Sequence, residues 1–276
     1  MMWFASIAQG RRAGTTLYLT SSQGTGKSLL GNFMRFEVFG RANTLKLDGL
    51  DAFMKAKIVA KTLVILEELH PATVDVSNGF ASKLKTLATD PEIDGYANTT
   101  STMIFSNHDA IQFEESNRRI VQLDISPSKI GQFEYFATLA SIVDYQVDPI
   151  RARNTGADMF AYLLAVDCST YSPMKMPMTE PMIAQRIAAM DPIFIWIRDN
   201  YVIPRNDMKV FNDTIATGVN KTNPALRHNI QSVGVILAAH GFGKVKEYVK
   251  IGTHHRRGVD YTIDALIAWY VSKQWL

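Results

Sequence analysis

Residues 15–20, Thr-Thr-Leu-Tyr-Leu-Thr, run directly into Ser21-Ser22-Gln23-Gly24-Thr25-Gly26-Lys27-Ser28, and this junction decides the fold. The first six read as a buried strand, and residues 26–39 read as a helix that starts inside the glycine-rich stretch. Gly24 and Gly26 let the backbone turn its N–H groups inward, and the helix N-terminus adds partial positive charge, so the loop is built to cradle phosphate. Lys27 is placed to reach the β- and γ-phosphates, and the Ser28 hydroxyl to ligate Mg²⁺. The stretch fits G-x-x-x-x-G-K-[ST] except that Ser21 stands at the first glycine, a departure that touches loop geometry rather than phosphate chemistry. Ser22, Gln23, Gly24, Thr25, Gly26, Lys27, Ser28 and Leu29 are therefore the candidate contacts for ATP. A turn that merely precedes Lys-Ser is the plain alternative; the flanking strand and helix argue against it.

Outward from this junction the first half alternates β-type runs with helical stretches, the pattern of an α/β domain with a parallel sheet. Strands are expected at residues 44–47, 62–66, 101–106 and 119–125, and helices at 50–57 and 80–88, with Ser126-Pro127 closing the unit. The run TLVIL at 62–66 is apolar throughout, as in a strand buried on both faces. It delivers Glu67 and Glu68 at its carboxyl end, where an open α/β sheet places its ligand crevice. Adjacent residues on an extended chain point apart, so Glu67 is assigned to the metal and Glu68 to activation of water. Asn107 ends the next strand in the same way and can bond both the γ-phosphate and the attacking water; alone, an Asn after a strand is a turn residue. Arg118 and Arg119 precede the fifth strand. Arginine suits the charge that develops on a transferring phosphoryl group, although an isolated pair would read as solvated surface.

The second half changes character. Helices are expected near 134–143 and 158–166, and Thr179-Glu180-Pro181 opens another that runs towards Asn200 with a break at Pro192. Beyond Pro204 the reading is a helix near 207–218, a helix from Asn223-Pro224 to His240, strands at 244–251 and 259–263 joined by GTHHRRG, and a helix at 264–274. Helices followed by a β-hairpin suggest a winged helix. The expected organisation is a nucleotide-binding core over 1–127, a helical linker region over 128–204 and a winged-helix-like unit over 205–276.

The 276 residues carry a net charge of only +3, which permits a polyanionic partner without demanding one. The single cysteine, Cys168, rules out an internal disulfide and a thiolate zinc cluster, and points to a reducing, cytoplasmic compartment. No apolar run approaches the length of a membrane span, so no membrane partner is expected. The start Met1-Met2-Trp3 leads within two dozen residues to the phosphate loop, so an upstream domain is expected to be missing or separately encoded.

Taken together, SSQGTGKS, TLVILEEL, TMIFSNHDA and ESNRRIVQLDIS resemble superfamily 3 helicases, the AAA+-type ATPases of viruses, phages and plasmids. The match is closest to the helicase part of phage primase–helicase proteins, and YSPMKMPMTEP resembles the linker of that group. The resemblance implies a P-loop NTPase with an AAA+-like sheet, a homo-hexameric ring, ATP with Mg²⁺ between subunits, and a finger arginine, Arg118 or Arg119, that reaches a neighbour's γ-phosphate. It implies work on single-stranded or forked DNA in the replication compartment of a host cell, with an upstream or separate primase. Glu-Glu replaces the more common Asp-Glu. The segment 92–99 (EIDGYANT) is short for the DNA-gripping hairpin and lacks its lysine.

DNA-contact candidates are Lys83 and Lys85, against a solvated helix face, and Arg256 and Arg257 at the expected wing tip, against a solvated hairpin turn. A P-loop kinase and a nucleotide-gated DNA-binding or assembly ATPase without unwinding remain the rival readings.

Overall fold

The computed structural model describes residues 1–69, 74–107, 119–173, 175, 177–244 and 246–276, the side chains of 74–78 excepted. The chain divides into two compact units, Met1–Met182 and Ile183–Leu276. The division falls inside the segment expected as a linker.

In the first unit α1 (Met2–Ala8) precedes β1 (Thr16–Thr20), and α2 (Lys27–Phe33) runs on as a π-helical turn, Met34–Val38. Then come β2 (Thr44–Asp48), α3 (Gly49–Lys55), β3 (Leu63–Glu67), α4 (Val74–Thr89), a small hairpin of β4 (Glu92–Ile93) and β5 (Tyr96–Ala97), β6 (Ser101–Ser106) and β7 (Ile120–Asp124). α5 (Phe133–Val143), α6 (Pro149–Ala165) and α7 (Glu180–Ala188) follow, the last of these containing the division.

Five strands form one sheet in the order β2-β3-β6-β1-β7, every pair parallel. Strand alternation sorts the side chains into two cores. Leu17, Leu19, Leu63, Ile65, Met103 and Phe105 face a cluster with residues of α1, α2 and α6. Tyr18, Val64, Leu66 and Ile104 face Phe53 of α3 and Phe80 and Leu84 of α4. This is the expected α/β architecture, and the expected strands all form. The hairpin turn is Asp94-Gly95, both with positive φ (50° and 80°), the pair a tight primed turn requires.

The second unit holds α8 (Pro192–Ile197), β8 (Met208–Phe211), α9 (Asn212–Thr222), α10 (Ile230–Ala239), β9 (Tyr248–Ile251), β10 (His254–Tyr261) and α11 (Ile263–Ser272). Its three strands form an antiparallel sheet, β8-β10-β9, over a core centred on Phe194, Phe242, Leu266 and Tyr270.

Three expectations are corrected here. Met208 and Val210 are buried while Lys209 is exposed, a period of two that makes a strand where the sequence reading placed a helix. α10 starts not at Pro224 but at Ile230, because Asn229 forms a capping box: its Oδ1 accepts from Gln231 N and Ser232 N, and Ser232 Oγ accepts from Asn229 N. Gly252-Thr253 alone makes the last hairpin's turn, so His254 to Arg257 lie on β10 in register with Ile251 to Tyr248, not at a wing tip. The break expected at Pro192 is found, where Asp191 Oδ1 accepts from Ile193 N, 2.8 Å away.

Candidate functional site

All five residues of β1 are buried, which fixes the point where the glycine loop leaves the sheet. The loop begins tied to β6, with Ser21 N donating to Ser106 O. Gly24 and Gly26 take φ of +85° and +87°, and Gly26 is the N-cap of α2. Any side chain at either position would be strained, so the two glycines are what allow the loop to curl onto the helix start.

Lys27 folds across the loop. Its ammonium donates to Ser21 O at 2.9 Å, Ser22 O at 3.0 Å and Ser21 Oγ at 2.6 Å, and reaches over to Asn107 Oδ1 at 2.9 Å. Burial pushes its pKa below the ordinary lysine value. Ser21 Oγ also lies 2.6 Å from Thr25 Oγ1. Thus the serine that departs from the glycine pattern is bonded across the neck of the loop. Sequence reading treated Ser21 only as a departure; a hydroxyl four residues before Thr25 and six before Lys27 was the available signal.

Glu67 ends β3, and Glu68 follows it outside the strand; both line the same cleft. Glu67 is buried on the α2 side, its Oε2 2.6 Å from Lys46 Nζ of β2. Its Oε1 is buried with no hydrogen-bond partner among the described residues. It faces α2 at Gly31, where a Cβ would sit 3.5 Å away. Ser28 is three residues before Gly31 and so shares that helix face. Glu68 is exposed and takes φ of +55°, a left-handed backbone that costs a non-glycine residue about 1–3 kcal/mol and clusters at functional sites.

Gln23 to Leu29, both acids and Asn107 line one cleft of about 280 Å³. Among the described residues no group of three or more His, Cys, Asp or Glu could hold a metal by itself. A magnesium ion needs less, since it takes one or two protein oxygens and completes its shell with phosphates and water. The orphaned Glu67 oxygen and the Ser28 hydroxyl fit that requirement.

Arg119 is half-buried immediately before β7, and its carbonyl accepts from Thr16 N. β7 runs parallel to β1, with Ile120 opposite Thr16, so Arg119 stands at the amino end of the sheet. The glycine loop is at the carboxyl end, about 16 Å away along a five-residue strand. Arg119 is thus not brought to its own chain's cleft. Arg118 lies outside the described residues.

Lys83 has a different environment from a pore lining. Its ammonium donates to Phe53 O at 2.6 Å, Met54 O at 3.1 Å and Ala56 O at 3.0 Å, the carbonyls that end α3. It also sits 5.0 Å from the Phe53 ring centre. Burial lowers its pKa, partly opposed by Asp94. A cation on the last carbonyls of a helix stabilises them. Lys83→Met should therefore lower stability by about 1–2 kcal/mol, read as a shift of the denaturant midpoint at unchanged m-value. An unchanged midpoint would free Lys83 from this structural role. Lys85 is exposed on α4.

In the second unit Arg256 pairs with Asp213 at 3.2 Å and lies 5.7 Å from the Phe211 ring centre. Arg256, Arg257, His255 and Tyr248 line a cleft of about 400 Å³ that Asp213 also enters. The basic residues thus form a strand-borne patch with one charge already answered.

Among the described residues no helix is long and apolar enough to cross a membrane. Residues 19–119 match the model of DUF5906, a family of unknown function, over about a third of the chain. No curated protein matches the chain. Two apo structures of the NrS-1 C-terminal region are similar in fold. One has a TM-score of 0.66 at 17% identity, and the other 0.63 at 19%; both alignments cover 95% of this chain and 70% of the other.

Proposed function

We propose that this chain is an ATP-hydrolysing P-loop NTPase with an AAA+-like core, acting as the helicase or helicase-like motor of viral, phage or plasmid DNA replication in a homo-hexameric ring. The observation that carries the reading is the convergence of Lys27, Glu67, Glu68 and Asn107 at the carboxyl ends of β1, β3 and β6. β6 separates the loop strand from the acid strand, so those two strands lie roughly 10 Å apart, two inter-strand spacings. The cleft they share, about 280 Å³, is where a terminal phosphate and a water would sit, with Asn107 entering from the strand between.

In this reading the loop amides and Lys27 bind the triphosphate. Magnesium, held by Ser28 and Glu67, would supply neutralisation of the β- and γ-oxygens. Asn107 orients the attacking water, and Glu68 takes its proton. The sheet-end position of Arg119 supports service to a second copy's phosphate, because its own is out of reach. The second unit is read as winged-helix-like, with Arg256 and Arg257 contacting DNA phosphates.

The test is ATP hydrolysis with and without forked DNA, together with strand separation. Lys27→Ala should reduce turnover by at least about two to three powers of ten, the range for losing one preorganised donor to transition-state charge. Removing Arg256 or Arg257 should each flatten the salt slope of DNA binding by roughly 0.7–0.9. Absence of hydrolysis under both conditions would overturn the proposal. One observation favours a second reading, a nucleotide-gated DNA-binding or assembly ATPase that does not unwind. The β4–β5 hairpin carries Glu92, Asp94 and an exposed Tyr96 but no cation. Hydrolysis and DNA binding without strand separation would select it.

A further inference from the structure

The cleft of about 400 Å³ in the second unit joins the last hairpin to the first turns of two helices. Tyr248 comes from β9, His255, Arg256 and Arg257 from β10, Asp213 from α9 and Gln231 from α10. Charge around it is one-sided. Residues 244–257 carry five lysines and arginines against one acid, Glu247. That acid is spent locally, its Oε2 accepting from Lys244 N at 3.0 Å.

Two groups in the cleft offer contacts that the chain does not use. Arg257 is half-buried, yet its guanidinium makes no hydrogen bond or ion pair among the described residues. Tyr248 is 51% exposed, and its ring, 5.6 Å from that of His255, is tilted by 45° rather than stacked. Arg256 is answered differently: Asp213 takes one of its N–H groups at 3.2 Å and leaves the others. The turn that closes the hairpin, Gly252-Thr253, carries no cation, so the charge is set back along the strands.

Building on the reading of Arg256 and Arg257 as DNA contacts, we propose that this cleft holds an unpaired nucleotide of a DNA single strand. Its phosphate lies on Arg257, beside Arg256, and its base stacks on Tyr248. A duplex hides its base faces in the stack and presents phosphates on a convex surface, which a protruding cationic hairpin tip would meet. Here the tip is neutral and the cations line a concavity beside an open aromatic ring. That pairing of a backbone cation with a stacking platform suits a single strand, because every unpaired base has a free face.

The experiment titrates the full chain against three labelled DNAs by fluorescence anisotropy: oligothymidylate, the same strand with abasic sites, and a blunt duplex. Tyr248→Ala should weaken oligothymidylate binding roughly 5- to 150-fold, the span of one lost base–aromatic stack, and leave the duplex unchanged. Tyr248→Phe should keep the parental affinity. The abasic strand should bind parent and Tyr248→Ala alike, which also reports that the variant keeps its folded hairpin. Arg257→Ala should flatten the single-strand salt slope by about 0.7. Equal weakening of single strand and duplex by Tyr248→Ala, or no weakening of either, would overturn the nucleotide cleft. A flattened slope in Arg257→Ala would then still leave the arginines as DNA contacts. A parent chain that binds no DNA would overturn both, whereas its ATP hydrolysis without DNA reports on the loop alone.

Discussion

Arg119→Ala subunits should lose about three to five powers of ten in ATP turnover and regain activity when mixed with Lys27→Ala subunits. The expectation follows from direction along the sheet. Arg119 precedes β7 at the amino end, whereas the loop and acids lie at the carboxyl end. No rotamer of one side chain spans the length of a strand, so a catalytic Arg119 must act on another copy's nucleotide. Mixed assemblies contain interfaces that pair an intact loop with an intact arginine, and these alone should turn over. Turnover is measured across mixing ratios, with Arg118→Ala run beside it because the two arginines are adjacent in sequence. Full activity of an Arg119→Ala, Arg118→Ala double variant would end the trans-arginine reading. Full activity of a strictly monomeric parent at nanomolar concentration would end the ring.

The second large effect is expected at Glu68. Glu68→Gln should keep ATP affinity and lose about two to four powers of ten in kcat, the contribution of a positioned general base. Glu67→Gln should behave differently, because that carboxylate is buried, paired with Lys46 and turned to the α2 face. Its loss should raise the Mg²⁺ concentration needed for half-maximal rate. Single-turnover rates against Mg²⁺ concentration separate the two. A Glu68→Gln enzyme at parental rate beside a dead Glu67→Gln enzyme would reverse the assigned roles.

The core sheet was legible because its signals are local. β1, β3 and β6 are short runs centred on apolar residues, each of the five strands ends in a polar residue at the carboxyl edge, and the two glycines set the loop whatever the rest of the chain does. The hairpin at Asp94-Gly95 was read as a short segment rather than as paired strands, since each strand has two residues, too few to show a period. Three features of the second unit were misread for separate reasons. Met208 to Phe211 alternate over only four residues before α9 begins, so a helical period absorbs them. Pro224 promised a helix start, but Asn229 and Ser232 satisfy the first amides of α10 and set the actual boundary. The glycine-led run after Ile251 looked like one long turn, although Gly252-Thr253 closes it and the arginines continue the ladder.

At the site, residue types were readable and environments were not. The sequence marks Lys83 as a cation on a helix, but the ending of α3 beneath it is a tertiary fact. The same holds for Lys46, which became Glu67's partner through strand pairing.

If Glu68 is the proposed general base, it sets folding against activity. Its left-handed backbone would be relaxed by glycine, which adopts φ near +55° without the side-chain clash that costs other residues roughly 1–2 kcal/mol. A chain shaped only to be stable would therefore carry glycine at position 68 and would have no carboxylate there. The conformation that leaves this side chain exposed at the cleft is one its own residue type disfavours, so the surrounding packing, with Leu66 and Leu69 buried on either side, must hold it. Loosening that packing, even far from any ligand, would let the backbone at position 68 relax towards the region its residue type prefers and so move the carboxylate.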